Sequence, residues 1–272
     1  MPTKAMPIWK WILLLIAFLL LTTLAYSLSQ IPHYFLDGPL FWAACVLMSA
    51  AMLGLYYLLT RWFEKEKPAD IPLGKCATGT GLGFVMGAVL FSAVVGVMYA
   101  VTLYTVDSVT LNTQALVQAL FMYLVVAVGE EITFRGVLFR WIDQRFGFWW
   151  AMAVSGLFFG LAHIFNDGAT VWSSVAIALE AGLMLAAAYK WSGNLWVPIG
   201  IHWAWNWVQG SVFGFAVSGM QQEYSLLQPT IDGPEWLTGG IFGAEASVIS
   251  AVLGLTLTAW FVKEYLKRQT PR

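Results

Sequence analysis

Residues 113–136 read TQALVQALFMYLVVAVGEEITFRG, an apolar run that closes on two adjacent glutamates, a threonine and an arginine. Thr113–Ala127 carries no charged side chain. Similar runs lie near Trp9–Leu28, Leu40–Leu59, Ala77–Tyr104, Trp149–Ile164, Trp172–Tyr189, Pro198–Phe215 and Ala246–Val262. A membrane-crossing helix needs about 20 apolar residues, and the runs are continuous rather than alternating, which excludes an outer-membrane barrel. The expected fold is all-α: a polytopic integral membrane bundle of about eight transmembrane helices, residues 1–272 forming one membrane domain.

Composition agrees with that reading. Of the 272 residues, 59% are apolar and 11% charged, against about 45–50% and about 25% in soluble domains. The net charge of −1 and the lack of a basic block exclude nucleic acid as a partner. Two cysteines exclude a disulfide framework, and Cys45 and Cys76 read as packing residues. The glycines of the third run read as close helix packing, Gly83-x-x-x-Gly87 above all.

With the N-terminus in the cytoplasm, all 14 basic residues fall on or near the cytoplasmic side. Lys4 and Lys10 lie at the inner end of the first span. Arg61, Lys65, Lys67 and Lys75 follow the second, and Arg135, Arg140 and Arg145 the fourth. Lys190 follows the sixth, and Lys263, Lys267, Arg268 and Arg272 the eighth. The outer loops hold acids only: Asp37, Asp107, Asp167, Glu223, Asp232 and Glu235. This positive-inside bias predicts a multi-pass protein of the cell membrane (inner or plasma) with both termini cytoplasmic. The first run exceeds a signal-peptide core of about 7–15 residues, so it is expected to be retained as a span. The outer segment from Ala216 to Gly240 is long enough to cover the outer mouth.

Ionisable and amide side chains inside apolar segments are costly and default to a functional reading. Glu131 and Arg135 are i and i+4 on a helix and face each other, acid first. Glu130 points about 100° away and has no local cation, which leaves it free as a base. A charged helix cap would read the same way. His163 follows Phe159 by four residues, a spacing that also suits a satisfied polar contact. His202 and Asn206 share one face of the seventh span, where an interhelical hydrogen-bonding pair is the structural alternative. Glu180 lies inside the sixth span as a candidate supporting residue. Glu245 follows a glycine-rich turn at the start of the eighth, and both read first as structural. Together, carboxylate and imidazole can activate water, and imidazole and amide can stabilise an oxyanion. The same groups could bind a metal through N and O ligands.

Glu130-Glu131-x-x-x-Arg135, Phe159-x-x-x-His163 and His202-x-x-x-Asn206, in that order on successive helices, resemble the signature of the CPBP family of CAAX proteases and bacteriocin-processing enzymes. The motifs span about residues 113–215, which the resemblance makes the catalytic core. It implies an intramembrane endopeptidase in which Glu130 activates water, His163 positions it, and His202 and Asn206 stabilise the oxyanion. Glu131, Arg135, Phe159 and Glu180 would support them. Family members have been described both as glutamate proteases and as metalloproteases. A divalent metal such as zinc, if present, would fall to Glu130, His163 and His202. The layout looks bacterial, so the expected substrate is a membrane-associated peptide or protein in the bilayer rather than a prenylated C-terminus.

Rival readings are weaker. The rhomboid Gly-x-Ser-Gly is absent, Ser155-Gly156 being preceded by Ala153-Val154. No span carries an aspartate, and the zincin His-Glu-x-x-His is missing. A non-catalytic scaffold or bacteriocin-immunity factor of the same fold is the main alternative. A transporter would be expected to show repeated halves, and none is visible. The span boundaries also pose a depth problem. Glu130 falls near the inner face, whereas His163 comes 14 residues after Trp149, roughly 21 Å along a helix. A shared site therefore requires a deeper fifth span or a kink, and predicts that Glu130, His163, His202 and Asn206 line one cavity.

Overall fold

The computed structural model describes residues 7–30 and 38–269. Lys4, Asp37 and Arg272, used above for sidedness, lie outside them. Helices form at each of the expected runs: α1 (Ile8–Gln30), α2 (Pro39–Glu64), α3 (Cys76–Ala100), α4 (Thr113–Phe146), α5 (Phe148–Ala162), α6 (Val171–Ser192), α7 (Trp196–Trp207, prolonged by Val208–Val212) and α8 (Val248–Gln269). Five stretches are long and apolar enough to cross a membrane: α2, α3 with its preceding turn (Leu73–Ala100), α4, α6 and α8. Ile8–Leu24 and α5 are apolar but shorter. The fold is an all-α polytopic membrane bundle.

Local chemistry sets the breaks. The Asn112 side chain caps α4 by accepting from Ala115 N at 3.1 Å. Thr170 and Ser173 cap α6 reciprocally. Gly147, at φ 85°, turns the chain directly from α4 into α5, and left-handed Gly193 ends α6.

Two expected boundaries are corrected. The third span does not continue to Tyr104. After Ala100 the chain turns, and β1 (Tyr104–Val109) pairs antiparallel with β2 (Leu227–Ile231) in a two-stranded sheet with Tyr104 opposite Ile231. The fourth span does not stop at Ala127 but runs unbroken to Phe146. The motif therefore lies in mid-helix, and Arg135 is fully buried in the bundle rather than at the cytoplasmic edge.

The bundle has two chemically distinct ends. At one, Arg140 pairs with Glu64 and Lys190 with Asp143, and Arg268 donates to the Trp191 carbonyl. At the other, β1 and β2 pair, Trp172 donates to the Ala246 carbonyl, and Asn166 donates to the Ser218 carbonyl. The loops of this second end (101–112, 163–170 and 213–247) contain acids but no Lys or Arg.

α7 is the scaffold of the site. A Cβ added at Gly83, Gly87 or Gly200 would fall 2.1 Å from Val197 O, 2.3 Å from Ile201 O and 2.2 Å from Thr80 O, so α3 and α7 meet backbone to backbone. On its other side, α7 is tied to α4 by indole donors. Trp203 donates to the Leu120 carbonyl at 2.7 Å and Trp207 to the Leu116 carbonyl at 2.9 Å. With both faces clamped, the His202–Asn206 face has a fixed direction.

Candidate active site

The turn at Gly147 resolves the depth problem. Glu130 lies 17 residues before Gly147 and His163 lies 16 after it. At about 1.5 Å per residue the two descend to nearly the same level, roughly 25 Å from the turn. α5 ends there, while α4 extends a further 17 residues past Glu130 toward its start at Thr113. The short α5 leaves a recess that the loops 163–170 and 213–247 enter.

One cavity of about 440 Å³ occupies that recess, lined by Glu130, Phe159, His163, Glu180, His202 and Asn206, together with Thr22, Tyr123, Asp167, Ser218 and Glu245. The four residues expected to act together thus share one space, and Glu180 joins them.

Around it three helices depart from α-geometry. Ile132–Phe139 directly after Glu131, Ala178–Gly182 around Glu180, and Val208–Val212 just after Asn206 are π-helical. Such widened turns are rare and are found frequently at functional sites.

Glu131 and Arg135 form an ion pair at 2.8 Å with neither side chain exposed. The guanidinium also donates to the carbonyls of Ala181 and Gly182, each at 3.2 Å, and sits 4.6 Å over the Phe159 ring. Both carbonyls belong to the π segment of α6. Arg135 therefore ties α4 to the helix that carries Glu180. A buried ion pair of this kind holds geometry rather than adding much net stability, because desolvation offsets most of the attraction.

Glu131 also holds His202, whose Nδ1 lies 2.9 Å from Glu131 Oε1. The carboxylate can only accept, so Nδ1 carries the proton and Nε2 is the free ring position. Nε2 lies 3.9 Å from Glu130 Oε2. Glu130 itself is 19% exposed, which opens it to the cavity and sets it apart from its sealed neighbour Glu131. His163 Nδ1 donates to the Phe159 carbonyl at 2.7 Å, so its Nε2 is the acceptor of the neutral ring. Phe159 stacks obliquely on His163 and edge-on to His202, and so packs against both imidazoles and Arg135.

The metal ligands left open above do not fit. Among the described residues no three His, Cys, Asp or Glu side chains come together as a metal-binding group. Glu130, His163 and His202 share the cavity without converging on one point.

Glu245 is the residue that the sequence reading undervalued. It is not at the start of α8 but in the turn Ala244–Ala246 before it, 3% exposed, lining the cavity and accepting the backbone N–H of Ser218. Nothing local distinguishes it in sequence. Its only signal is the run Gly239-Gly240-Ile241-Phe242-Gly243, whose glycines all have positive φ and permit the chain to double back.

Residues 112–208 match the family model described as type II CAAX prenyl endopeptidase Rce1-like. The match begins at the N-cap of α4 and ends just past Asn206, so it contains all three motifs. No curated protein and no solved structure matches the chain.

Proposed function

From this match to the type II CAAX prenyl endopeptidases we propose that the protein is an intramembrane endopeptidase acting on a membrane-associated peptide or protein, with Glu130 as the base that activates water. The observation that carries the reading is the differentiation of the two adjacent glutamates. Glu131 is spent on Arg135 and His202, whereas Glu130 opens to the cavity beside the free Nε2 of His202.

In this reading Glu130 takes a proton from water as the water attacks the scissile carbonyl, and returns it to the leaving amine. His163 offers the Nε2 lone pair to the same water, its other nitrogen being held by the Phe159 carbonyl. The developing oxyanion receives hydrogen bonds from Asn206 and His202. The His202 bond must leave from Nε2 in its protonated form, because Nδ1 is committed to Glu131. Both imidazoles are held by a second group, His163 by the Phe159 carbonyl and His202 by Glu131, as preorganised catalysis requires. No step needs a metal, consistent with the lack of a three-ligand group among the described residues. The segregation of basic residues to one end supports placing that end in the cytoplasm, with both termini there, in a bacterial inner membrane.

The test is cleavage of a quenched peptide library by the full chain in detergent. Wild type should cleave with or without chelator, and Glu130→Ala should lose about 10²–10⁴-fold in rate. Chelator-sensitive cleavage restored by metal would overturn the glutamate mechanism. Full biological activity in Glu130→Ala would indicate a binding protein instead.

A further inference from the structure

The cavity is lopsided in charge. Glu130, Asp167, Glu180 and Glu245 line it along with His163 and His202, and among the described residues no Lys or Arg does. Arg135 is close in sequence to Glu130 but is not among the lining residues, and it is engaged by Glu131, Ala181 and Gly182.

Glu180 is the anomaly. It is fully buried, and neither carboxylate oxygen has a hydrogen-bond partner. A buried carboxyl left unpaired costs several kcal/mol, so proteins rarely keep one without a use. The neighbouring helix covers its backbone but offers its carboxyl no hydrogen-bond partner. α8 presents Gly254 there, packed so closely that an added Cβ would lie 2.8 Å from Glu180 Cα. Glu245 lines the same cavity from the turn before α8. The cavity thus holds two buried acids, Glu180 and Glu245, and among the described residues no Lys or Arg lines it with them.

A second observation points the same way. Among the described residues the loops at this end of the bundle hold Asp107, Asp167, Glu223, Asp232, Glu235 and Glu245 with no Lys or Arg. A mouth of one sign raises the local concentration of opposite charge and speeds its arrival.

We propose that the substrate segment entering this site carries an alkylammonium or guanidinium group that docks between Glu180 and Glu245. This rests on the peptidase reading and names its substrate class. Glu180 and Glu245 are specificity residues, distinct from the group that attacks the peptide.

The experiment uses the full chain in detergent and two capped, amidated pentapeptides of equal shape, one of arginine and one of its neutral isostere citrulline. Binding is read by thermophoresis at fixed ionic strength. Wild type should bind the arginine peptide at least tenfold more tightly. Glu180→Gln and Glu245→Gln should each bring the ratio below threefold. Glu264→Gln, at the opposite end, should leave the ratio unchanged. Equal binding of the two peptides by wild type, which needs no variant to fold, overturns the inference, as does a ratio that survives Glu180→Gln. Cleavage is scored separately with the quenched library. A protein that cleaves without discriminating sinks this inference alone, and one that discriminates without cleaving sinks the peptidase reading alone.

Discussion

Replacing Arg135 by methionine removes one charge of a pair with no exposed surface on either side. Glu131 is then left buried without its cation, and breaking a buried pair in this way costs about 3–5 kcal/mol. The variant also loses two hydrogen bonds to the carbonyls of Ala181 and Gly182, about 1 kcal/mol each, and a desolvated cation–π contact worth about 2. Those further losses recur in the double variant Glu131→Gln/Arg135→Met, so they cancel when single and double are compared. What remains is the uncompensated charge, offset in part because Glu131→Gln gives His202 Nδ1 a weaker, neutral acceptor. The double variant should therefore be more stable than Arg135→Met by about 3 kcal/mol, on the order of 10 °C in unfolding midpoint. With 15 tryptophans in the chain, thermal unfolding in detergent can be followed by intrinsic fluorescence. If the double variant melts at or below the single one, Glu131 is not the charge that Arg135 compensates, and the account of the site's scaffold fails.

Two further outcomes follow from packing and burial. Gly87→Ala should cost at least about 2 kcal/mol and reduce activity, because its Cβ would lie 2.3 Å from the Ile201 carbonyl and push α7 with His202 away. Gly81→Ala meets nothing within 4 Å and should be neutral or slightly stabilising; equal effects in thermal unfolding would contradict the backbone-to-backbone contact. Glu245 lies outside the membrane-crossing helices, and burial raises its carboxyl above the ordinary 4.5 despite opposing pulls from Ser218 and His163. Above that ordinary value the folded chain holds a proton that the unfolded chain has released, so stability falls as pH rises toward the raised value. Glu245→Gln removes this slope, and its midpoint should gain on wild type with rising pH over that interval; parallel profiles would refute the assignment.

The elements were readable because their signals are local. Continuous apolar runs mark every helix, and the i, i+4 spacings put Glu131 with Arg135 and His202 with Asn206 correctly on shared faces. The errors arose where tertiary partners override a local cost. Ending the fourth span at Ala127 treats Glu130, Glu131 and Arg135 as too polar to continue a buried helix. That is sound for isolated residues. It fails here because Glu131, the carbonyls of Ala181 and Gly182 and the face of Phe159 all come from groups that fold against Arg135. Two of those three elements are remote in sequence, so the compensation has no local trace.

The same blindness explains the depth paradox and its resolution. Once α4 runs to Phe146, the turn at Gly147 becomes a fold point with Glu130 and His163 almost equidistant from it. The level of the candidate site is then set by counting from one glycine rather than by assigning inner and outer faces. Glu245 could not have been counted this way. It reaches the cavity through a loop whose path depends on left-handed glycines and on the Ser218 amide it meets after the chain has doubled back. Motif residues on helices inherit their direction from helical periodicity, whereas a residue on a returning loop inherits its direction from the partner that receives it. Sequence therefore reads the groups proposed to attack the peptide more readily than those proposed to select the substrate. Glu180 and Glu245 gain meaning only when they are seen to line one cavity that, among the described residues, no Lys or Arg enters.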